Sequence, residues 1–311
     1  MKKTLSFLMS IMIFSLMLFK TTYASEIKEK YVKFNDTSIY TECYNYRPNA
    51  NEAIIYLHGL GDNHSGAEFL HDSKNPYMTI SFDYLNHGKT THVSSDQITW
   101  ENQLGAINAI IDAYGLKKVY LVGHSVGADI AMMFAKQYPN KVKKVVLVDR
   151  AYYNYSDVEK LNFTRHLTST FGYDPSLGIE KDVFNKYVDM VSDNDITKTW
   201  DLNKHVLLLT SNPDSVLPDG INPSMVDIVQ MVKQSPELFG ITPEDAALLP
   251  DLTVQDLQNI SDLFKTKASE FLNVNHKFHV ISTPYSHNMV TEENARDTVR
   301  DYVLNFIQTE Q

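Results

Sequence analysis

The sequence predicts an α/β fold, a doubly wound and mostly parallel sheet carrying helical cap insertions. Short, continuously apolar runs recur along the chain and read as strands buried on both faces. Segments with helical spacing separate these runs, which is the alternation a parallel sheet covered by helices requires. Size agrees: 311 residues, 43% of them hydrophobic, supply one large core, and a charged fraction of only 21% excludes a disordered chain.

The first element is an export signal. Lys2 and Lys3 precede an apolar run from Leu5 to Phe19, and Thr22-Tyr23-Ala24 offers small residues for cleavage before Ser25. That run is shorter than the roughly 20 apolar residues of a spanning helix. Residues 1–24 are therefore expected to be a cleaved signal peptide. The mature chain 25–311 is expected to be secreted and soluble, without stable membrane insertion. Cleavage removes three lysines (Lys2, Lys3, Lys20) and no acid, which takes the net charge from −10 to −13. So acidic a chain is a poor partner for nucleic acid. Cys43, the single cysteine, leaves no internal disulfide. It lies in an alternating stretch from Ile39 to Tyr44 that reads as an early strand with a small buried side chain rather than a nucleophile.

Six further strands follow, at Ala53–Leu57, Met78–Phe82, Val119–Val122, Val142–Val148, Val206–Leu209 and Phe278–Ile281. Helical spacing marks Asp96–Tyr114, stopped by Gly115, then Val126–Tyr138, closed by Pro139, and finally Ala295–Ile307. Two stretches break the alternation and are too long and too apolar for loops. Residues 151–204 begin with Tyr152, Tyr153 and Tyr155 and carry a helical pattern around Val183, Tyr187 and Val191. Residues 219–275 contain three apparent helix starts, at Asn222-Pro223, Thr242-Pro243 and Thr253–Asp256. Both read as helical insertions above the carboxyl edge of the sheet, where such folds bind ligands.

The chemistry centres on Gly123-His124-Ser125-Val126-Gly127, which follows a buried strand and opens a helix. A serine hydroxyl is a weak nucleophile, and a strained strand-to-helix turn lifts it into reach of a base. The flanking glycines leave room where side chains would strike neighbouring backbone. The Val126 amide, at the start of the helix, can donate to an oxyanion. A second donor is expected from His58-Gly59-Leu60-Gly61, at the Leu60 amide. Five histidines follow Ser125: His166, His205, His276, His279 and His287. Only His287 sits in a loop between the last strand and the final helix, free to lie over the sheet edge, so it is the expected base. Two acids compete to orient it. Asp214 follows the strand 206–209 and is favoured; Asp149 ends the strand 142–148.

These motifs, in this order, resemble the α/β-hydrolase superfamily along residues 30–311 apart from the insertions. His58 to Asp62 looks like the family's oxyanion turn, and Asp83-Tyr84-Leu85-Asn86-His87-Gly88 like its Asp-x-x-x-His-Gly loop. Gly123 to Gly127 matches the nucleophile elbow, Asp214 to Pro218 resembles the acid loop, and Ser286-His287 the histidine loop. The resemblance implies a Ser125–Asp214–His287 triad that cleaves a small-molecule ester-like substrate through an acyl-enzyme. In one respect the chain departs from the family: residues 219–275 widen the usual spacing between acid and histidine. Amidase or peptidase, thioesterase and lactonase chemistry would use the same triad, and a non-catalytic binding protein could be built on the same fold. No cofactor is expected, since no dinucleotide fingerprint or phosphate loop occurs. The pairs His58 with His64 and His87 with His92 lack a companion acid at metal-ligand spacing, so no metal is expected either.

Overall fold

The computed structural model describes residues 27–149, 173, 175–193, 196–199, 201–211, 224–239, 241–247, 249, 251–256, 259 and 272–309. Eight strands among these form a single sheet: β1 (Lys28–Phe34), β2 (Thr37–Tyr44), β3 (Glu52–Leu57), β4 (Thr79–Phe82), β5 (Lys118–His124), β6 (Val142–Val148), β7 (His205–Thr210) and β8 (Phe278–Ser282). Their spatial order is β1-β2-β4-β3-β5-β6-β7-β8. The first two pairings are antiparallel and the rest are parallel. The helices are α1 (Trp100–Ala113), α2 (Val126–Gln137), α3 (Lys181–Ser192), α4 (Ser224–Gln234), α5 (Pro243–Ala247) and α6 (Arg296–Gln308).

The central strands are apolar throughout because both of their faces are covered. Ile55, Leu57, Leu121, Val145, Leu147 and Leu208 pack with α1, α2 and α3 on one side. The alternate residues Ile54, Tyr56, Val122, Val146, Leu207 and Leu209 pack with Val299, Val303 and Ile307 of α6 on the other. Strand side chains point to opposite faces in turn, so each run fills two cores. Fully burying one such aliphatic side chain contributes about 1.5–3 kcal/mol, and this burial is the main source of stability in a chain whose one cysteine is unpaired.

The expected helix from Asp96 begins later, at Trp100. Thr99 takes the capping position and accepts from the Asn102 amide at 3.3 Å, while residues 95–97 form a separate 3-10 turn. Gly115, with φ +68°, follows its end. Thr253 and Asp256 form a reciprocal capping box: the Thr253 amide donates to the Asp256 carboxylate at 3.0 Å, and the Asp256 amide to Thr253 Oγ1 at 3.2 Å. Strand β1 is not evident in the sequence. It is charged (KEKYVKF) and buries only Val32, being an edge strand held by backbone pairing to β2. Cys43 is fully buried on β2, and burial pushes its thiol up to about 12. The segment read as a signal peptide, residues 1–24, lies outside the described residues, as do parts of both insertions.

Candidate active site

Sheet order sets the position of the site. Strand β4 lies on one side of β3 and β5 on the other, so the crevice above β3 and β5 is the topological switch point. Ser125 emerges there from the end of β5 with φ 51° and ψ −124°, a conformation that L-residues other than glycine seldom adopt. Backbone contact on both sides enforces the turn. A Cβ on Gly123 would lie 2.3 Å from the Gly127 carbonyl oxygen, and one on Gly127 would lie 2.2 Å from that of Leu57. Any side chain at either position would therefore strike main chain.

Neighbouring strand ends are joined in the same way. The Ser125 amide donates to the Val148 carbonyl at 3.0 Å, the Asp149 amide to Leu209 at 2.8 Å, and the Thr283 amide to Thr210 at 3.0 Å. Asp149 follows β6 with φ 50°, a left-handed turn that a short polar side chain tolerates. Its Oδ1 accepts from the Ser211 amide at 2.7 Å, and its Oδ2 lies 2.7 Å from His287 Nδ1. A carboxylate accepts at Nδ1, which makes Nδ1 the protonated nitrogen and Nε2 the basic one.

The histidine loop is anchored at both ends. Thr283 Oγ1 donates to the Thr210 carbonyl at 2.8 Å, and Met289 and Val290 are buried beneath it. In its middle, the His287 carbonyl accepts from His124 Nε2 at 2.8 Å, and the two rings lie 4.8 Å apart. His287 thus sits against the residue that precedes Ser125.

The turn after β3 completes the arrangement. The Asp62 amide donates to the Gly59 carbonyl at 3.2 Å, and Gly61 takes φ +76°. A Cβ on Gly59 would lie 3.5 Å from Ser125 Cβ, so the turn packs directly on the elbow. Two buried histidines hold it. His58 Nδ1 donates to the Gly59 carbonyl at 2.7 Å, and its Nε2 accepts from the Tyr84 amide at 3.2 Å. His87 Nε2 accepts from the Gly61 amide at 3.3 Å, while its Nδ1 donates to the Leu85 carbonyl at 3.1 Å. Burial pushes His58 down to about 3, with the neighbouring His87 adding to the effect, and burial brings His87 down to about 4. Both rings are neutral braces. Burial also works against the charge of Asp83, but the His64 ring and the Lys89 and His64 amides bonded to it hold its carboxyl below the usual range. Leu177, from the 151–204 stretch, packs on this turn: a Cβ on Gly61 would lie 2.7 Å from its side chain.

The sheet, the elbow and the ordered loops agree with the comparisons on the fold. A family model described as alpha/beta hydrolase fold matches residues 52–188. The chain carries the α/β-hydrolase fold. Among sequence relatives, it is 34% identical over 110 residues to a probable alcohol acetyltransferase of Wickerhamomyces anomalus, covering 33% of this chain and 30% of that protein. It is also 34% identical over 101 residues to a putative 2-succinyl-6-hydroxy-2,4-cyclohexadiene-1-carboxylate synthase of Bacillus subtilis, covering 32% and 37%. The chain thus spans about a third of the length of these curated relatives. Among solved structures, the enol-lactonase from Burkholderia xenovorans LB400 superposes with a TM-score of 0.63 at 12% identity, over 90% of this chain and 100% of that one. That likeness concerns the fold.

Of the residues expected from sequence, the fold brings Ser125 and Val126 at the elbow against the turn that carries Leu60, through Gly59, and against the loop that carries His287, through His124. Asp214, the favoured acid, lies outside the described residues. The carboxylate that meets His287 is Asp149, the competitor at the end of β6. The bracing roles of His58 and His87 and the contact made by His124 are not evident in the sequence. Each bonds to backbone, which has no sequence signature. Among the described residues, no group of three or more His, Cys, Asp or Glu side chains is arranged to hold a metal.

Proposed function

We propose that this α/β-hydrolase cleaves carboxylic ester-like bonds with Ser125 as nucleophile, His287 as base and Asp149 as the orienting acid. One observation carries the reading: the Asp149–His287 pair is docked, through the His287 carbonyl, on the strained turn that presents Ser125. His287 Nε2 takes the Ser125 proton as Oγ attacks the carbonyl carbon, and the Leu60 and Val126 amides stabilise the oxyanion. His287 then returns that proton to the leaving oxygen. Water repeats the sequence, releasing the acid and restoring Ser125. The insertions at 151–204 and 219–275 select the substrate; Leu177, already seated on the oxyanion turn, belongs to the first of them. A short apolar leader, Leu5–Phe19, supports export with cleavage after Ala24, which N-terminal sequencing of the secreted protein would check.

A fluorophosphonate probe tests the central reading. Covalent label on Ser125 is expected, along with loss of label and a fall in ester turnover of roughly 10³–10⁶-fold in Ser125→Ala. An unlabelled wild-type protein, or full ester hydrolysis by Ser125→Ala, would overturn it. A second reading, acyl transfer to an alcohol in place of water, is favoured by the alcohol acetyltransferase among the relatives. Accumulation of the ethyl ester when turnover is run in ethanol would support it.

A further inference from the structure

We infer that His124 is a positioning residue for the proposed base, holding the main chain of His287 while Asp149 holds its ring. The inference rests on the catalytic reading above, and it begins from a side chain that the mechanism does not use. His124 is the last residue of β5 and is only 6% exposed. A carbonyl oxygen only accepts, so the 2.8 Å contact to the His287 carbonyl requires a proton on His124 Nε2. On its other side the ring borders the oxyanion turn, where a Cβ on Gly59 would lie 3.1 Å from His124 Nδ1. One imidazole therefore separates the two loops that must keep register with Ser125, and is fixed in sequence beside it.

Asp149 restrains the His287 ring at Nδ1. The bond at the carbonyl supplies a second restraint on the same residue, 163 positions along the chain from its donor. Two restraints fix where Nε2 lies relative to Oγ, and a displacement of about 1 Å at a reacting group can cost about 10²-fold in rate. Because the bond touches neither substrate nor the reacting atoms, its loss lowers kcat and leaves KM unchanged.

The test compares His124→Phe, which keeps the ring volume without the donor, with His124→Gln, whose amide nitrogen restores a donor near the Nε2 position. The readouts are kcat and KM on a p-nitrophenyl ester and the second-order rate of fluorophosphonate labelling. The expected result is a fall of about 10–100-fold in kcat and in labelling rate for His124→Phe, with KM unchanged and with recovery to within about threefold of wild type in His124→Gln. Equal activity of His124→Phe and wild type would overturn the inference, as would equal impairment of both variants with a matching fall in melting temperature. If wild-type protein labels at Ser125 while His124→Phe labels at the same rate, only the role of His124 fails. If wild-type protein takes no label, the catalytic reading fails and this inference falls with it.

Discussion

Asp149 Oδ2 lies 2.7 Å from His287 Nδ1, although 138 residues separate the two in the chain. Adjacent strand ends bring them together: Asp149 follows β6, and His287 lies in the loop after β8, whose first residues are tied to the end of β7. Asp149 has only 11% of its side chain exposed and His287 25%, so water screens the pair weakly. Asparagine at 149 keeps the shape but favours the wrong imidazole tautomer. Asp149→Asn is expected to lower kcat by about 10³–10⁴-fold, and the loss at Asp214→Asn to be at least about 10²-fold smaller. Steady-state ester hydrolysis by the two variants decides between the two acids.

What the sequence made legible follows from where information sits in a chain. The buried strands β3 to β7 were readable because both of their faces are apolar, and the elbow was readable because two glycines must flank a strained serine. Strand β1 was hidden because backbone pairing at a sheet edge asks little of its side chains. The choice between Asp149 and Asp214 could not be made from spacing, since each follows a strand that ends at the same edge. Register places one of the two: the Asp149 amide binds the Leu209 carbonyl, and that sets its carboxylate beside the histidine loop, while Asp214 lies outside the described residues.

Glycine at 127 and glycine at 115 make different demands. A Cβ at 127 would lie 2.2 Å from the Leu57 carbonyl oxygen, whereas one at 115 meets nothing within 4 Å, and only its φ of +68° is unfavourable. Gly115→Ala is expected to cost about 1–2 kcal/mol, the penalty of the left-handed conformation. Gly127→Ala forces β3 and α2 apart and is expected to cost about 4 kcal/mol or more, the range of severe core disruption. Urea denaturation midpoints of the two variants check the contrast.

Tyr187 links α3 to the Asp83–His87 loop. This fully buried side chain of α3 accepts from Gln103 Nε2 at 2.8 Å and donates to the Leu85 carbonyl at 3.0 Å. Leu85 also receives the bond from His87 that helps brace the turn after β3. Tyr187→Phe leaves the Gln103 amide without its acceptor and removes one donor from Leu85. A loss of about 1–3 kcal/mol is expected, read as a lower melting temperature. The His87 bond survives, so labelling of Ser125 at 25 °C is expected to stay within about threefold of wild type.

Stability will fall on acidification well before the carboxylates titrate, because His58 and His87 are buried without a proton. Their folded values of about 3 and about 4 lie below the ordinary 6.5, so between these limits the unfolded chain binds more protons than the folded one. Their contribution is complete above about pH 6.5 and is lost as pH falls through the folded values. With both groups taking up protons on unfolding near pH 5, the slope approaches about 2.7 kcal/mol per pH unit. His64 acts in the opposite sense. Burial disfavours its charge, but its hydrogen bond to Asp83 raises it above the ordinary value, so its smaller contribution is present below about pH 6.5 and fades as pH rises. Asp83, held low, contributes above the ordinary carboxylate range and loses that contribution only as pH falls through its depressed folded value. His87→Gln is expected to halve the slope between pH 6.5 and pH 4, because one of the two protons no longer enters on unfolding. Urea melts at half-unit pH intervals measure both slopes, and a wild-type stability flat across that window would mean that His58 and His87 carry their protons in the folded state.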